Sequence, residues 1–126
     1  GGAFRTIYLG NMLEHLYLSV HEPLLRELWR VLQPGGQCII SVPDMLPVFA
    51  RLANDPDSVA LKQIVWGQQA SARGAEFNAA DTHRAGYTEA SLGAILLATG
   101  FGEVRRVWIH SAEVWWDLSV TSRRLA

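Results

Sequence analysis

The strongest constraint on this chain is a pair of short apolar runs, rich in β-branched and aromatic residues, on either side of a segment with helical periodicity. The first run, residues 4–11, contains Ile7, Tyr8 and Leu9; the second, residues 38–42, reads Cys-Ile-Ile-Ser-Val. Such composition suits strands covered on both faces, as in a parallel sheet. Between the runs, Leu24, Leu25, Leu28, Val31 and Leu32 recur at helical spacing and share one face, with Arg26, Glu27 and Arg30 on the other. Ser19 and Glu22 have capping-box spacing at the start of this helix, Pro23 is tolerable in its first turn, and Pro34-Gly35-Gly36 stops it. Strand, helix and strand in this order predict a βαβ unit, because parallel strands need a crossover of this kind.

Beyond Pro43-Asp44 the pattern predicts a helix over 45–53 with Leu46, Phe49, Ala50 and Ala53 inward. A second, shorter helix follows, capped by Asp55 with Pro56 at its first position and running through Leu61, Ile64 and Val65 to Gly67. Residues 67–86 are small and polar without a period, a long loop of the kind that is usually functional or mobile. Thr88 caps a helix containing Leu92, Ile95, Leu96 and Ala98 that stops at Gly100, and a strand is expected over 103–111. Val114, Trp116, Leu118 and Val120 then alternate with Trp115, Asp117, Ser119 and Thr121, which predicts an antiparallel strand with one buried face. The expected fold class is α/β: one domain over residues 1–126, with a mixed sheet of about four strands, two parallel and the last two an antiparallel pair, and helices on both faces.

A chain of 126 residues can bury one proper core without disulfides or structural metal. Its single cysteine, Cys38, excludes an intramolecular disulfide and leaves no Cys-x-x-Cys pair for zinc, which fits a cytoplasmic protein. With 11 basic against 12 acidic residues there is no surplus of positive charge for phosphates, so nucleic acid is not an expected partner. No apolar run approaches the ~18 residues of a membrane span.

Three stretches resemble a known family. Ile7-Tyr8-Leu9-Gly10-Asn11-Met12-Leu13-Glu14-His15-Leu16, then Leu28-Trp29-Arg30-Val31-Leu32-Gln33-Pro34-Gly35-Gly36, then Ile39-Ile40-Ser41-Val42-Pro43-Asp44 are similar to class I S-adenosylmethionine-dependent methyltransferases from the fourth strand through the fifth. Asp81-Thr82-His83, Gly86-Tyr87-Thr88 and Gly100-Phe101 resemble a bacterial subgroup with a D-x-H element before a helix and a G-F turn. The resemblance implies a partial Rossmann-like fold, the C-terminal half of a methyltransferase domain. The family's glycine-rich turn after its first strand, and the acidic residue after its second, have no counterpart here. Weak or no binding of S-adenosylmethionine by this chain alone is therefore expected. Methyl transfer to a small-molecule or glycan-like acceptor is the implied activity. The alternatives are a non-catalytic remnant serving as an interaction module, or one half of a split enzyme.

Methyl transfer from a sulfonium is an in-line displacement that needs alignment, exclusion of water and, for some acceptors, removal of a proton; it requires no metal. By resemblance, the backbone of Gly10, Asn11 and Met12 would line the methionine end of the cofactor, and Glu14 and His15 would face the acceptor. Ligands of open α/β sheets gather at the carboxyl ends of parallel strands, which adds Asp44 as a substrate-binding candidate. Asp81 and His83, two residues apart, share one side of an extended segment, so the carboxylate could orient the imidazole. An ordinary polar loop with capping duties accounts equally well for Glu14 and His15, and a solvated loop for Asp81 and His83. His21 reads as a helix-face residue and His110 as a strand residue, without roles. Trp66, Trp108, Trp115 and Trp116 belong mostly to core or interface, Trp115 being the candidate for a buried contact or a pocket wall, and Arg105-Arg106 and Arg123-Arg124 read as solvated charges. The first strand would lack its neighbour from the complete fold, so a homodimer is expected through the open edge of residues 6–11 or the adjacent helices.

Overall fold

The computed structural model describes residues 2–67, 81–110 and 113–125. The first apolar run forms β1 (Phe4–Gly10), followed by a single 3₁₀ turn (Leu13–His15) and α1 (Leu18–Val31). The chain then returns as β2 (Leu32–Pro43), parallel to β1 with Ile7 opposite Cys38 and Leu9 opposite Ile40. Next come α2 (Met45–Asn54), α3 (Val59–Trp66), α4 (Glu89–Ala98), β3 (Phe101–Val107) and β4 (Asp117–Arg124). The sheet order is β1-β2-β4-β3, with β4 antiparallel to both neighbours. The mixed four-stranded sheet read from the sequence is the one the chain forms.

Leu9, Ile40 and Val120 lie in register across three strands, and with Cys38, Val42 and Leu118 they make one apolar sheet face. Leu25 of α1 and Leu92 and Leu96 of α4 complete that core. The opposite face carries hydroxyls instead. Tyr8 Oη donates to Ser41 Oγ, Ser41 Oγ lies 2.7 Å from Ser119 Oγ, and Ser119 donates to Asp117 Oδ2 at 2.7 Å. β4 is therefore buried on both faces as an inner strand, rather than on one.

Several local expectations are corrected. α1 begins at Leu18 with no side-chain cap, because Glu22 is held by Arg26 one turn later instead of reaching back to Ser19; Pro23 accordingly lies inside the helix. The inward face of α2 is Met45 and Val48, while Leu46, Phe49, Ala50 and Ala53 are exposed. Asp55 closes α2 through its N–H to Arg51 and Leu52 carbonyls, so Ser58 caps α3. β3 runs from Phe101 and ends at Val107; Trp108, Ile109 and His110 are exposed beyond it, as is Trp66. Arg124 stacks on Trp29 at 3.8 Å, and Arg123 donates to Gly35 O, tying the end of β4 to residues 33–36, which bulge out of the β1–β2 register. Most of the predicted 67–86 loop lies outside the described residues. Among those described, no helix is long and apolar enough to cross a membrane.

Candidate functional site

The site starts where β1 stops. Asn11 takes a positive φ of 51° and its N–H donates to Ser41 O at 2.8 Å, which turns the chain over the end of β2. The 3₁₀ turn follows, anchored by fully buried Leu13, and displays Glu14 and His15. A second segment comes in from α3. Gly67 pairs with Thr82, and at its φ of 80° a Cβ would strike the Asp81 carbonyl, so only glycine lets these strands meet. His83 N–H donates to Trp66 O at 3.0 Å, and the N–H groups of Arg84 and Ala85 donate to Glu14 O at 2.6 and 3.3 Å. Arg84 Nη1 adds a bond to His15 O at 2.7 Å.

These backbone bonds bring three polar side chains together. The His15 and His83 rings meet edge to face with centroids 4.7 Å apart. One ligand atom each of Glu14, His15 and His83 lie within 4.8 Å of one another. Glu14 is 2% exposed, and burial pushes its carboxyl above the usual range against the lowering effects of a backbone hydrogen bond and of His15. Burial lowers the His83 imidazole, only partly offset by the bond to Ile64 O. Because a carbonyl can only accept, the 2.7 Å bond to Ile64 O places the His83 proton on Nδ1 and leaves Nε2 as the acceptor of the neutral ring.

His15 and His83 line a cavity of about 340 Å³ together with Pro43, Gln63, Ile64, Asp81 and Trp116. His83 also borders a second cavity of about 510 Å³, walled by Met45, Phe49, Val65, Trp66 and Tyr87. Thus Glu14, His15, Asp81 and His83 are gathered in one place, although Ile64 rather than Asp81 orients the His83 ring. Asp44 is 4% exposed, caps α2 through Leu46 N–H, and pairs with Arg106 Nη1 at 3.1 Å. Arg106 is therefore a partner of a buried carboxylate and not a solvated charge. Gly10, Asn11 and Met12 sit at the carboxyl end of β1 but line neither cavity. The tryptophans in the cavity walls are Trp116 in the smaller and Trp66 in the larger; Trp115 is covered by Arg51, whose guanidinium lies 3.6 Å from its ring centroid. Gln63 and Ile64 carried no sequence signal, since only the docking of α3 brings them to the site.

No family model matches the chain, and no curated protein does. Solved structures do, and the fold they define is that of the S-adenosylmethionine-dependent methyltransferases. An O-methyltransferase family protein from Burkholderia thailandensis matches with a TM-score of 0.63 at 14% identity, over 100% of this chain and 32% of that one. Human N-acetylserotonin methyltransferase in complex with S-adenosylmethionine matches with a TM-score of 0.61 at 15% identity, over 97% of this chain and 30% of that one. A Burkholderia thailandensis 1,6-didemethyltoxoflavin-N1-methyltransferase, with bound 1,6-didemethyltoxoflavin and S-adenosylhomocysteine, gives 0.59 at 19% identity, over 100% and 46%. At these identities the likeness is one of fold. The chain spans less than half the length of each.

Proposed function

We propose that this chain carries the acceptor side of an S-adenosylmethionine-dependent methyl-transfer site, acting on a hydroxylated small molecule. The observation that supports this most is the convergence of Glu14, His15 and His83 at a cavity beside the carboxyl ends of β1 and β2. That is where reacting groups of open α/β sheets gather. S-adenosylmethionine, when bound, supplies the methyl group as a sulfonium. The backbone of Gly10, Asn11 and Met12 would hold its methionine end, Asn11 being already turned out of the strand. The largely apolar 510 Å³ cavity fits the body of an aromatic or aliphatic acceptor better than a glycan, and His83 at its border would meet the acceptor's polar end. There His83 Nε2 would accept the hydroxyl proton as the oxygen attacks the methyl group in line, with His15 packed against the His83 ring.

The test is transfer of labelled methyl to a panel of phenols and alcohols from S-adenosylmethionine at high concentration, since this chain alone is expected to bind it weakly. Labelled product that falls about 100-fold or more in His15→Ala and His83→Ala is the expected result. Product formed equally by both variants would remove the cluster from the reaction. One observation favours a second reading, half of a two-chain site: among the described strands β1 pairs only with β2, leaving its other edge open to strands from a partner.

A further inference from the structure

We propose that Glu14, His15 and His83 form a binding site for a divalent transition-metal ion of the zinc class. The sequence gives no hint of this, because the ligands come from two segments far apart in the chain and match no spacing motif. Three physical observations converge on it. Two imidazoles and a carboxylate are a recurrent ligand set for Zn²⁺, and three protein ligands leave a coordination position open. Ligand bonds of about 2.0–2.2 Å are reached from the present spread, within 4.8 Å, by small side-chain rotations.

The second observation is independent of spacing. Glu14 Oε1 and His15 Nδ1 are both buried without a hydrogen-bond partner among the described residues. A buried carboxyl oxygen without a hydrogen-bond partner is costly, and such orphaned atoms call for an explanation. One cation between them satisfies both. The third is the outer shell. Metal-binding histidines almost always donate their other ring N–H to a carbonyl or carboxylate, and His83 Nδ1–H is already committed to Ile64 O. The guanidinium of Arg84, the neighbouring cation, donates to the His15 and Thr82 carbonyls and lies over the Tyr17 ring. His15 and His83 both line the 340 Å³ cavity, from which an open position would be reached. Under the methyl-transfer reading, on which this last point rests, an acceptor oxygen placed there would ionise more readily.

The experiment uses the whole chain, stripped of metal by a chelator and titrated with Co²⁺ followed by visible absorption, and with Zn²⁺ followed by calorimetry. Expected are one ion per chain and the intense d–d bands of a low-coordinate nitrogen-ligated Co²⁺. Glu14→Gln and His83→Ala should each weaken binding by at least about tenfold, since loss of an outer-shell partner alone costs that much. His110→Ala, at the far end of β3, should bind as the unaltered chain does. Absence of saturable binding, or undiminished binding by the Glu14→Gln/His83→Ala double variant, would overturn the site. The Co²⁺ spectrum of the unaltered chain keeps the test standing if a variant fails to fold. Neither readout involves S-adenosylmethionine, so failure here leaves methyl transfer to its own assay.

Discussion

At the scale of single residues, burial decides which polar groups react. Cys38 has no exposed surface in β2, and burial pushes its thiol up to about 12. The thiolate is the nucleophile, so between about pH 6 and 10 the native protein should resist a thiol-exchange reagent, with any labelling following the rate of unfolding. Rapid native-state labelling that climbs through pH 8–9 would show an accessible thiol instead. This residue was legible in the sequence because a thiol inside a run of branched apolar residues has only one comfortable place. His21 was not. It reads as one more polar position on α1, yet it is fully buried, bonded through Nδ1 to Tyr87 Oη and through Nε2–H to Leu16 O. Its partner arrives with the segment before α4, and no local pattern announces a contact between elements so far apart. The Asp44–Arg106 pair was hidden for the same reason, as was the meeting of His15 with His83. Residue types gave the candidates; backbone bonds from residues 83–85 to the 3₁₀ turn assembled them.

At the scale of elements, α2 shows how periodicity can leave a face undecided. Its sequence, MLPVFARLAN, is apolar nearly all round, so Leu46, Phe49, Ala50 and Ala53 fit a helical stripe as well as Met45, Val48 and Leu52 do. The choice falls to the cap. Asp44, fixed by Arg106, starts the helix directly at the end of β2 and drives Met45 and Val48 inward. Val48 is fully buried and Phe49 is 54% exposed. Val48→Ala should therefore cost about 1–3 kcal/mol in urea denaturation, and Phe49→Ala less than about 0.5 kcal/mol despite its larger side chain. The reverse order would restore the face read from the sequence. Phe49→Ala carries a second expectation, a raised KM for the acceptor, since Phe49 walls the 510 Å³ cavity. By contrast α4 was legible at its start, because Thr88 and Ser91 make a reciprocal capping box that needs nothing beyond one turn of chain.

At the scale of the whole molecule, the edge of β1 that no other described strand covers is the feature with the largest consequence. Hydrogen bonds along a parallel strand alternate sides, and the N–H groups of Ala3 and Asn11 both donate towards α1 and β2, to Val31 O and Ser41 O. Odd-numbered residues therefore serve β2, and the N–H and C=O groups of Thr6, Tyr8 and Gly10 point to the free edge. Phe4 is 53% and Tyr8 51% exposed, so apolar surface accompanies the unpaired backbone. Only Arg5 offers a charge to discourage pairing there. Two such edges related by a two-fold axis can join antiparallel into one continuous sheet, and two-fold dimers are the commonest oligomers. A homodimer is the expected result of light scattering at low micromolar concentration. Tyr8→Pro separates this edge from other interfaces, because it deletes an outward N–H while sparing the backbone bonds to β2; of the contacts to β2 it removes the long Tyr8 Oη–Ser41 Oγ bond. The variant should fold, as judged by an unchanged far-ultraviolet circular dichroism spectrum, and scatter as a monomer. A dimer that survives Tyr8→Pro would move the interface to the helices, and a monomeric parent chain would show that the edge is covered within one molecule.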